Sequence, residues 1–301
     1  MKAVQFLTYG GPEVLQLVDV DEPHAGPGEV RITVRAAGVN GLDWKIRAGF
    51  MAQYLSLTFP SGIGKDAAGV VDEVGEGVSD VAVGTAVFGS GSATFAEYAV
   101  LTSWAVKPAN LSFEEAAGYP VPAETAHRIL NQIGVQAGET LLVSGAAGGV
   151  GSAVVQFARY RGISVIGTAS ERNHAYLRSL GALPTTYGPG LIERVRRLAP
   201  NGIDTALDIV GSGIIPDLIA LTGKPAKVLS IADFSAPQYG AQVSSTSQNA
   251  AVAFALAARL FTEGAFHLPV EQTFPLTAAA EAQNVSAAGH VRGRIVVTIF
   301  N

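Results

Sequence analysis

The chain has 301 residues, 48% of them hydrophobic and 15% charged, which suits one large folded domain or two ordinary ones. The formal net charge is −5 and Lys and Arg do not cluster, which argues against nucleic acid or an anionic membrane as a partner. The absence of cysteine excludes disulfides, thiolate metal sites, iron–sulfur clusters and cysteine nucleophiles.

Residues 1–6 resemble a strand rather than a signal peptide, and no apolar run reaches the ~18 residues of a membrane helix, so we expect a soluble, cytoplasmic protein. Residues 29–35 alternate polar and apolar side chains with period two, which is typical of a half-buried antiparallel strand. Glycine-bounded strands are also predicted over 69–75 and 82–88. The first 108 residues therefore predict a compact, mostly β unit.

From about residue 112 the pattern changes to helices alternating with short apolar strands. Ser112 is a plausible N-cap for a helix over 113–117, and a second helix is predicted over 125–133. The alternation that follows indicates βαβ units and a parallel sheet covered on both faces. Its predicted strands are 141–143, 163–167, 203–210 and 226–231, and its predicted helices are 150–160, 172–180 and 214–221. The tail ends in a strand over 294–299.

One motif within this alternation predicts a dinucleotide site. The strand 141–143 runs into Gly145-Ala146-Ala147-Gly148-Gly149-Val150-Gly151, with A-x-G-x-x-G spacing, and then into a helix. Small residues let the backbone approach a pyrophosphate, and the free N–H groups of a helix start attract its negative charge. We therefore predict that the backbone of Ala147, Gly148, Gly149 and Val150 binds the cofactor; a glycine-rich turn without a ligand is the alternative.

The end of the next strand favours NADPH over NADH. NAD sites place an acid there for the ribose hydroxyl, whereas this chain has Thr168, Ser170 and Arg172, which suit a 2′-phosphate. Glu171 fits only if its side chain faces solvent, and Arg172 could instead be an ordinary charge in the first turn of a helix.

Several segments resemble the quinone oxidoreductase/zeta-crystallin group, the zinc-independent members of the medium-chain dehydrogenase/reductase superfamily. Beyond the glycine-rich turn, the resemblance is carried by Gly10–Leu15, Ala37–Asn40, Gly69–Val71, Val74-Gly75, Phe95–Tyr98, Gly138-Glu139, Leu142, Gln156, Arg159 and Leu180–Ala182. It implies a Rossmann doubly wound parallel sheet inserted into a GroES-like, mostly antiparallel β domain. The expected ranges are 1–119 and 262–301 for the GroES-like catalytic domain and 120–261 for the NADPH-binding domain. The resemblance also implies a cleft between the domains and a homodimer.

The same resemblance allows a prediction about whether the chain binds zinc. Zinc-dependent relatives have cysteine where this chain has Asn40, and Gly-His-Glu where it has Gly64-Lys65-Asp66. An amide and an ammonium thus replace the ligands, and no two of the five histidines stand at metal-ligand spacing. We predict no metal.

Without zinc, hydrogen-bond donors must stabilise the oxygen that gains charge when hydride adds to a quinone or an α,β-unsaturated carbonyl. We predict Asn40 and Lys45 as the catalytic donors. Asn40 could instead close a turn, and Lys45 could be a solvated surface charge. Asp43 and Asp66 are predicted to be structural. Trp44, Phe50, Tyr54 and Phe59 could line an aromatic pocket or belong to the core.

Further cofactor contacts are predicted at the carboxyl ends of the parallel strands. Val210, Ile231 and Ala232 are expected near the nicotinamide and Tyr187 near the adenosine phosphate. Thr125 either reaches the carboxamide or caps a helix. The predicted function is NADPH-dependent reduction of quinones or enones. The alternatives are a pathway-specific enoyl reductase and a non-catalytic, crystallin-like NADPH-binding protein.

Overall fold

The computed structural model describes residues 1–244 and 249–299. Residues 245–248 of the expected NADPH-binding domain and residues 300–301 of the expected catalytic domain lie outside the described residues. The described chain separates into two compact units. The first comprises residues 1–121, 249–264 and 268–299, and the second comprises residues 122–244 and 265–267.

The amino-terminal part of the first unit is mostly strand. Its elements are β1 (Lys2–Phe6), β2 (Gln16–Asp19), β3 (Val30–Val39), α1 (Gly41–Arg47), β4 (Ser61–Gly62), β5 (Asp66–Val74), β6 (Ala86–Gly91), β7 (Tyr98–Val106) and α2 (Phe113–Ala117). The predicted cap of α2 is confirmed, because the Ser112 hydroxyl accepts the Glu115 N–H at 3.1 Å. The strand predicted from residue 82 begins only at Ala86, because Gly84 turns the chain with a φ of 91°.

The second unit contains the predicted alternation of strands and helices. Its elements are α3 (Pro120–Ile133), whose first two residues belong to the first unit, β8 (Thr140–Ser144), α4 (Gly149–Tyr160), β9 (Ser164–Thr168), α5 (His174–Ser179), β10 (Leu183–Thr185), α6 (Leu191–Leu198), β11 (Thr205–Asp208), α7 (Ile215–Thr222), β12 (Val228–Ser230) and β13 (Gln242–Val243). All neighbouring strands are parallel, in the order β10-β9-β8-β11-β12-β13. Buried aliphatic residues such as Leu142, Ile166 and Val228 form its core.

The carboxyl-terminal segment returns to the first unit with α8 (Ala250–Thr262), β14 (Val270–Pro275), α9 (Ala279–Ala288) and β15 (Arg294–Thr298). The larger sheet of this unit has the order β14-β15-β3-β5-β6-β7. Apart from the parallel pair β14–β15 it is antiparallel, and a further pairing joins β3 to β7. A parallel Rossmann-type sheet and a mostly antiparallel sheet thus confirm the predicted fold class.

One predicted boundary differs from the structure. The expected second range extends to residue 261, whereas residues 249–264 belong to the first unit. The reason is the packing of α8 on the antiparallel sheet, where the Phe254 ring lies 6.1 Å from that of Phe88. None of the helices in the described residues is long and apolar enough to span a membrane.

Candidate functional site

In the second unit, the glycine-rich segment forms the predicted tight turn between β8 and α4. Gly145 has a φ of 81°, and a Cβ there would lie 2.4 Å from a methyl group of Val210. A Cβ on Gly151 would lie 2.2 Å from the Gly145 carbonyl oxygen. Gly145 therefore permits the turn, and Gly151 permits the close packing of the helix start against it.

The start of α4 is suited to an anion. The N-cap is Gly148, which has no side chain to bond the first N–H groups of the helix. Among the described residues, a Cβ on Gly148 would meet only the Gly145 oxygen, at 3.8 Å, so the space beside it is open. Ala147, Gly149 and Val150 flank this residue. The uncapped helix start thus offers backbone donors and a favourable dipole to a phosphate group.

The predicted 2′-phosphate residues at the end of β9 differ in their surroundings. Thr168 is buried, and its hydroxyl accepts the Gly145 N–H at 3.1 Å, so its side chain supports the glycine-rich turn. Ser170 is half-buried and its Oγ accepts the Asn173 amide at 3.4 Å. Glu171 and Arg172 are both exposed, which agrees with the expectation that Glu171 faces solvent.

The loop that carries Tyr187 is held by one guanidinium. Arg194 on α6 donates hydrogen bonds to the carbonyls of Thr186, Tyr187, Gly188 and Pro189 at 2.7–3.3 Å. The Tyr187 side chain itself is 54% exposed. The ring is therefore accessible while its backbone is fixed, a role for Arg194 that sequence reasoning missed.

Two buried side chains fix the loops after β11 and β12. The Asp208 Oδ1 atom accepts the N–H groups of Val210 and Gly211, and its Oδ2 accepts the Ser230 hydroxyl at 2.8 Å. The Ser230 Oγ in turn accepts the N–H of Ala232 at 3.1 Å. This pair holds Val210, Ile231 and Ala232 at neighbouring strand ends. In the sequence, each of these two apolar strands ends in a polar residue, and that pattern could have identified the pair.

Thr125 is buried inside α3, which begins at Pro120. The alternative that Thr125 caps a helix is therefore wrong. The structure leaves its proposed contact with the carboxamide as a prediction.

In the first unit, Asn40 follows β3 and is the N-cap of α1. Its backbone N–H donates to Asp43 Oδ2 at 2.7 Å, so Asp43 closes the first helical turn. The side-chain amide donates from Nδ2 to Asp66 Oδ2 at 3.0 Å and accepts at Oδ1 from Arg294 Nη2 at 2.9 Å. All four residues are buried. Asn40 thus does more than close a turn, because both ends of its amide are held.

The charges of this cluster are strongly perturbed. Burial raises the pKa of Asp66 to about 6, although Arg294 and the Asn40 amide act in the opposite direction. Burial also raises the pKa of Asp43 to about 7, where the Asn40 N–H opposes the shift and the Asp66 charge adds to it. Arg294 is the member of this cluster that the sequence analysis missed, since it begins a mostly apolar strand far along the chain.

Lys45 and the aromatic residues near it in the sequence differ in how far their side chains are exposed to solvent. Lys45 is half-buried, with Nζ 5.6 Å from the Trp44 ring centroid, so it is not a fully solvated charge. Trp44 also packs edge-on against Phe50 at 6.0 Å, and Phe50 and Tyr54 are 67% and 60% exposed. Phe59 instead contacts Phe6 and Tyr9 and packs, partly buried, against the hydrophobic core. The exposed aromatic rings could contact a flat substrate.

Two protein families match this chain. The alcohol dehydrogenase GroES-like domain matches residues 26–110, and the zinc-binding dehydrogenase family matches residues 187–297. Among curated relatives, the chain is 31% identical to a quinone oxidoreductase of Pseudomonas aeruginosa over 98% of this chain and 99% of that protein. It is 39% identical to human quinone oxidoreductase, but this alignment covers only 56% of the chain and 53% of the human protein.

Solved structures of similar fold cover 99–100% of the chain. The quinone oxidoreductase of Coxiella burnetii has 31% identity and a TM-score of 0.87, covering 100% of this chain and 99% of that one. A protein described as an NAD-dependent alcohol dehydrogenase has 32% identity and a TM-score of 0.87, covering 100% of both chains. A mycobacterial protein in complex with NADPH has 28% identity and a TM-score of 0.83, covering 99% of this chain and 100% of that one.

The zinc named by one of these families can be tested against the residues present. The described residues contain no group of three His, Cys, Asp or Glu side chains that could hold a metal ion. The two positions that carry ligands in zinc-dependent relatives hold Asn40 and the exposed Lys65. The Arg294 guanidinium, 2.9 Å from Asn40 Oδ1, adds positive charge at the same place. This donor set does not fit zinc.

Proposed function

We propose that this chain, which belongs to the quinone oxidoreductase group of the medium-chain dehydrogenase/reductase superfamily, uses NADPH to reduce quinones or α,β-unsaturated carbonyl compounds without zinc. The observation that carries the proposal is the uncapped start of α4 beside an open Gly148, since it suits the pyrophosphate of a dinucleotide.

The cofactor contacts of the proposal come from the second unit. The backbone of residues 147–150 would bind the pyrophosphate, Ser170 and Arg172 would bind the 2′-phosphate, and Tyr187 would lie near the adenosine phosphate. Thr168, at the end of β9, would contribute by holding the glycine-rich turn through its hydrogen bond from Gly145. Val210, Ile231, Ala232 and Thr125 would line the nicotinamide side. The preference for NADPH is supported by the exposed Arg172 and by the NADPH complex of the mycobacterial relative. The NAD-dependent structural neighbour makes NADH the competing cofactor.

NADPH, when bound, supplies the hydride. The protein's part is to stabilise the negative charge that develops on the acceptor oxygen. The Asn40 amide is the first donor of the proposal, because Nδ2 has a second N–H beyond the one directed at Asp66. Lys45 is the second, as a cation beside the half-buried Trp44 ring. Phe50 and Tyr54 would contact the flat face of the substrate.

The chemical character of the side chains at this position supports independence from zinc. Asn40, Lys65 and Arg294 supply an amide, an ammonium and a guanidinium, none of which suits zinc. The Asp66 carboxylate beside them is already bonded to Asn40, Val121 and Arg294. A homodimer and a cytoplasmic location also belong to the proposal, and sedimentation analysis would test the former.

The test is NADPH oxidation with two classes of acceptor, an ortho-quinone such as phenanthrenequinone and a panel of simple enones. Turnover with either class supports the proposal, and preference for one enone would favour a pathway-specific enoyl reductase. NADPH binding without turnover on any acceptor would replace the proposal with a non-catalytic role.

A further inference from the structure

We propose that Asp66 and Arg294 are positioning residues that fix which end of the Asn40 amide is available to the substrate. This inference rests on the proposed function only in assigning Asn40 to the acceptor oxygen. The orientation of the amide is a property of the protein alone and can be measured without cofactor or substrate.

The three residues meet because their strands are neighbours. In the larger sheet of the first unit, β3 lies between β15 and β5. Ile295 pairs with Val39, so Arg294 stands beside Asn40, and Gly38 pairs with Asp66. A Cβ on Gly38 would lie 3.0 Å from Arg294 Nη2 and 3.1 Å from the Asp66 Cβ. The missing side chain therefore leaves the room in which the cluster packs.

An amide side chain has two ends of nearly equal shape but opposite hydrogen-bonding character. Turning it over therefore costs little in packing, and only its partners decide the orientation. Arg294 Nη2 can only donate, and it lies 2.9 Å from Asn40 Oδ1. An ionised Asp66 can only accept, and its Oδ2 lies 3.0 Å from Nδ2. A reversed amide would place N–H against guanidinium and carbonyl against carboxylate, losing two charge-assisted hydrogen bonds.

The Asp66 carboxylate is itself held in place. Both of its oxygens accept the Val121 N–H at 3.1 Å, and Arg294 Nη2 lies 3.4 Å from Oδ2. In the described part of the chain, Asp66 is the one hydrogen-bond partner of Asn40 Nδ2. The group left over on Asn40 is therefore the second N–H. That is the polarity needed opposite an oxygen that gains negative charge.

The experiment compares three variants with a matched control. Asp66→Asn replaces a group that only accepts hydrogen bonds by an amide, which can donate or accept. Arg294→Gln does the same for a group that only donates. Arg294→Lys keeps a partner that can only donate. The control is Asp72→Asn on the same strand β5, where the carboxylate bonds Arg31 on β3 at 2.9 and 3.1 Å, outside the cluster.

The first readout is the NMR signal of the Asn40 NH₂ group in the protein without cofactor, assigned by its loss in Asn40→Ala. We expect one proton protected from exchange in the wild type, in Asp72→Asn and, in part, in Arg294→Lys. Protection should be lost in Asp66→Asn and Arg294→Gln. Two rapidly exchanging protons in the wild type would overturn the inference, and this measurement does not depend on whether any Asp66 or Arg294 variant folds.

The second readout is steady-state kinetics. We expect kcat to fall roughly tenfold in Asp66→Asn and Arg294→Gln, less than the ~100-fold or more for deleting an oxyanion donor, with KM for NADPH unchanged. Unchanged kcat in both folded variants, or equal losses in Arg294→Gln and Arg294→Lys, would overturn the inference. If the wild type shows no turnover at all, the proposed function fails, while the NMR result still decides the orientation of the amide.

Discussion

Asp208 and Ser230 are joined by a 2.8 Å hydrogen bond between buried side chains at the ends of the adjacent parallel strands β11 and β12. We expect Ser230→Ala to lower the free energy of unfolding by about 1–3 kcal/mol, because the Ala232 and Asp233 N–H groups lose their acceptor. KM for NADPH should rise, since Ala232 loses its support and Asp208, which holds Val210, loses the partner of its Oδ2 atom.

Urea unfolding and initial rates check this prediction. Ser179→Ala is the control, because that hydroxyl is exposed and donates to the Tyr176 carbonyl, far along the chain from Asp208 and Ser230. A KM that rises equally in both variants would contradict a specific role for the Asp208–Ser230 pair.

The glycine-rich turn predicts opposite behaviour for two neighbouring glycines. Gly151→Ala should destabilise the protein, because its Cβ would lie 2.2 Å from the Gly145 oxygen and 2.7 Å from the Ala146 Cα. Gly148→Ala should leave stability unchanged, because its φ of −75° and open surroundings accept alanine, yet it should abolish tight NADPH binding. Thermal unfolding and a fluorescence titration with NADPH separate the two effects. Normal NADPH affinity in Gly148→Ala would show that the cofactor does not approach this turn.

Arg172 is expected to distinguish NADPH from NADH. Arg172→Ala should raise KM for NADPH about tenfold or more and leave KM for NADH unchanged, because a hydrogen bond between charged groups contributes ~1.5–3 kcal/mol. Arg178→Ala, which removes an exposed arginine from the last turn of α5, is the matched control. The prediction does not survive a wild type that prefers NADH, or a loss that is the same for both cofactors.

Asp43 makes stability depend on pH. Burial raises its pKa from 3.8 to about 7, so between these values the folded state binds more protons than the unfolded state. The contribution of Asp43 to stability therefore falls as the pH rises through this window and is level above it. An asparagine at this position would not titrate, so the stability of Asp43→Asn relative to wild type should increase between about pH 4 and pH 7.

Urea unfolding at several pH values measures this difference, with the exposed Asp80→Asn as control. If the stability of Asp43→Asn relative to wild type stays constant or decreases with pH, burial does not raise the pKa of Asp43.

Much of the fold was predictable because its signals are local. The periodicity of residues 29–35 and the turn between β8 and α4 depend on neighbours within a few residues, and both appear as predicted. The helix α1 is not evident from the sequence, because it has only seven residues and its cap is formed by Asn40 and Asp43, whose side chains also suit an active site.

The contacts of the Asn40 site were not predictable in the same way. Arg294 is 254 residues from Asn40, and only the pairing of β15 with β3 brings them together. Similarly, α8 appeared in the sequence only as an apolar run, because its packing partner is the distant strand β7 of the first unit. Long-range strand order decides such contacts, and a single sequence carries no direct record of it.

The most direct test is the rate of NADPH oxidation with phenanthrenequinone by protein dialysed against a strong chelator and shown by elemental analysis to be free of zinc. We predict full activity that added zinc does not increase and that Asn40→Ala reduces ~100-fold or more. Activity that disappears when metal is removed and returns with zinc, or no oxidation of NADPH by the wild type, would contradict the proposal of a zinc-independent NADPH reductase.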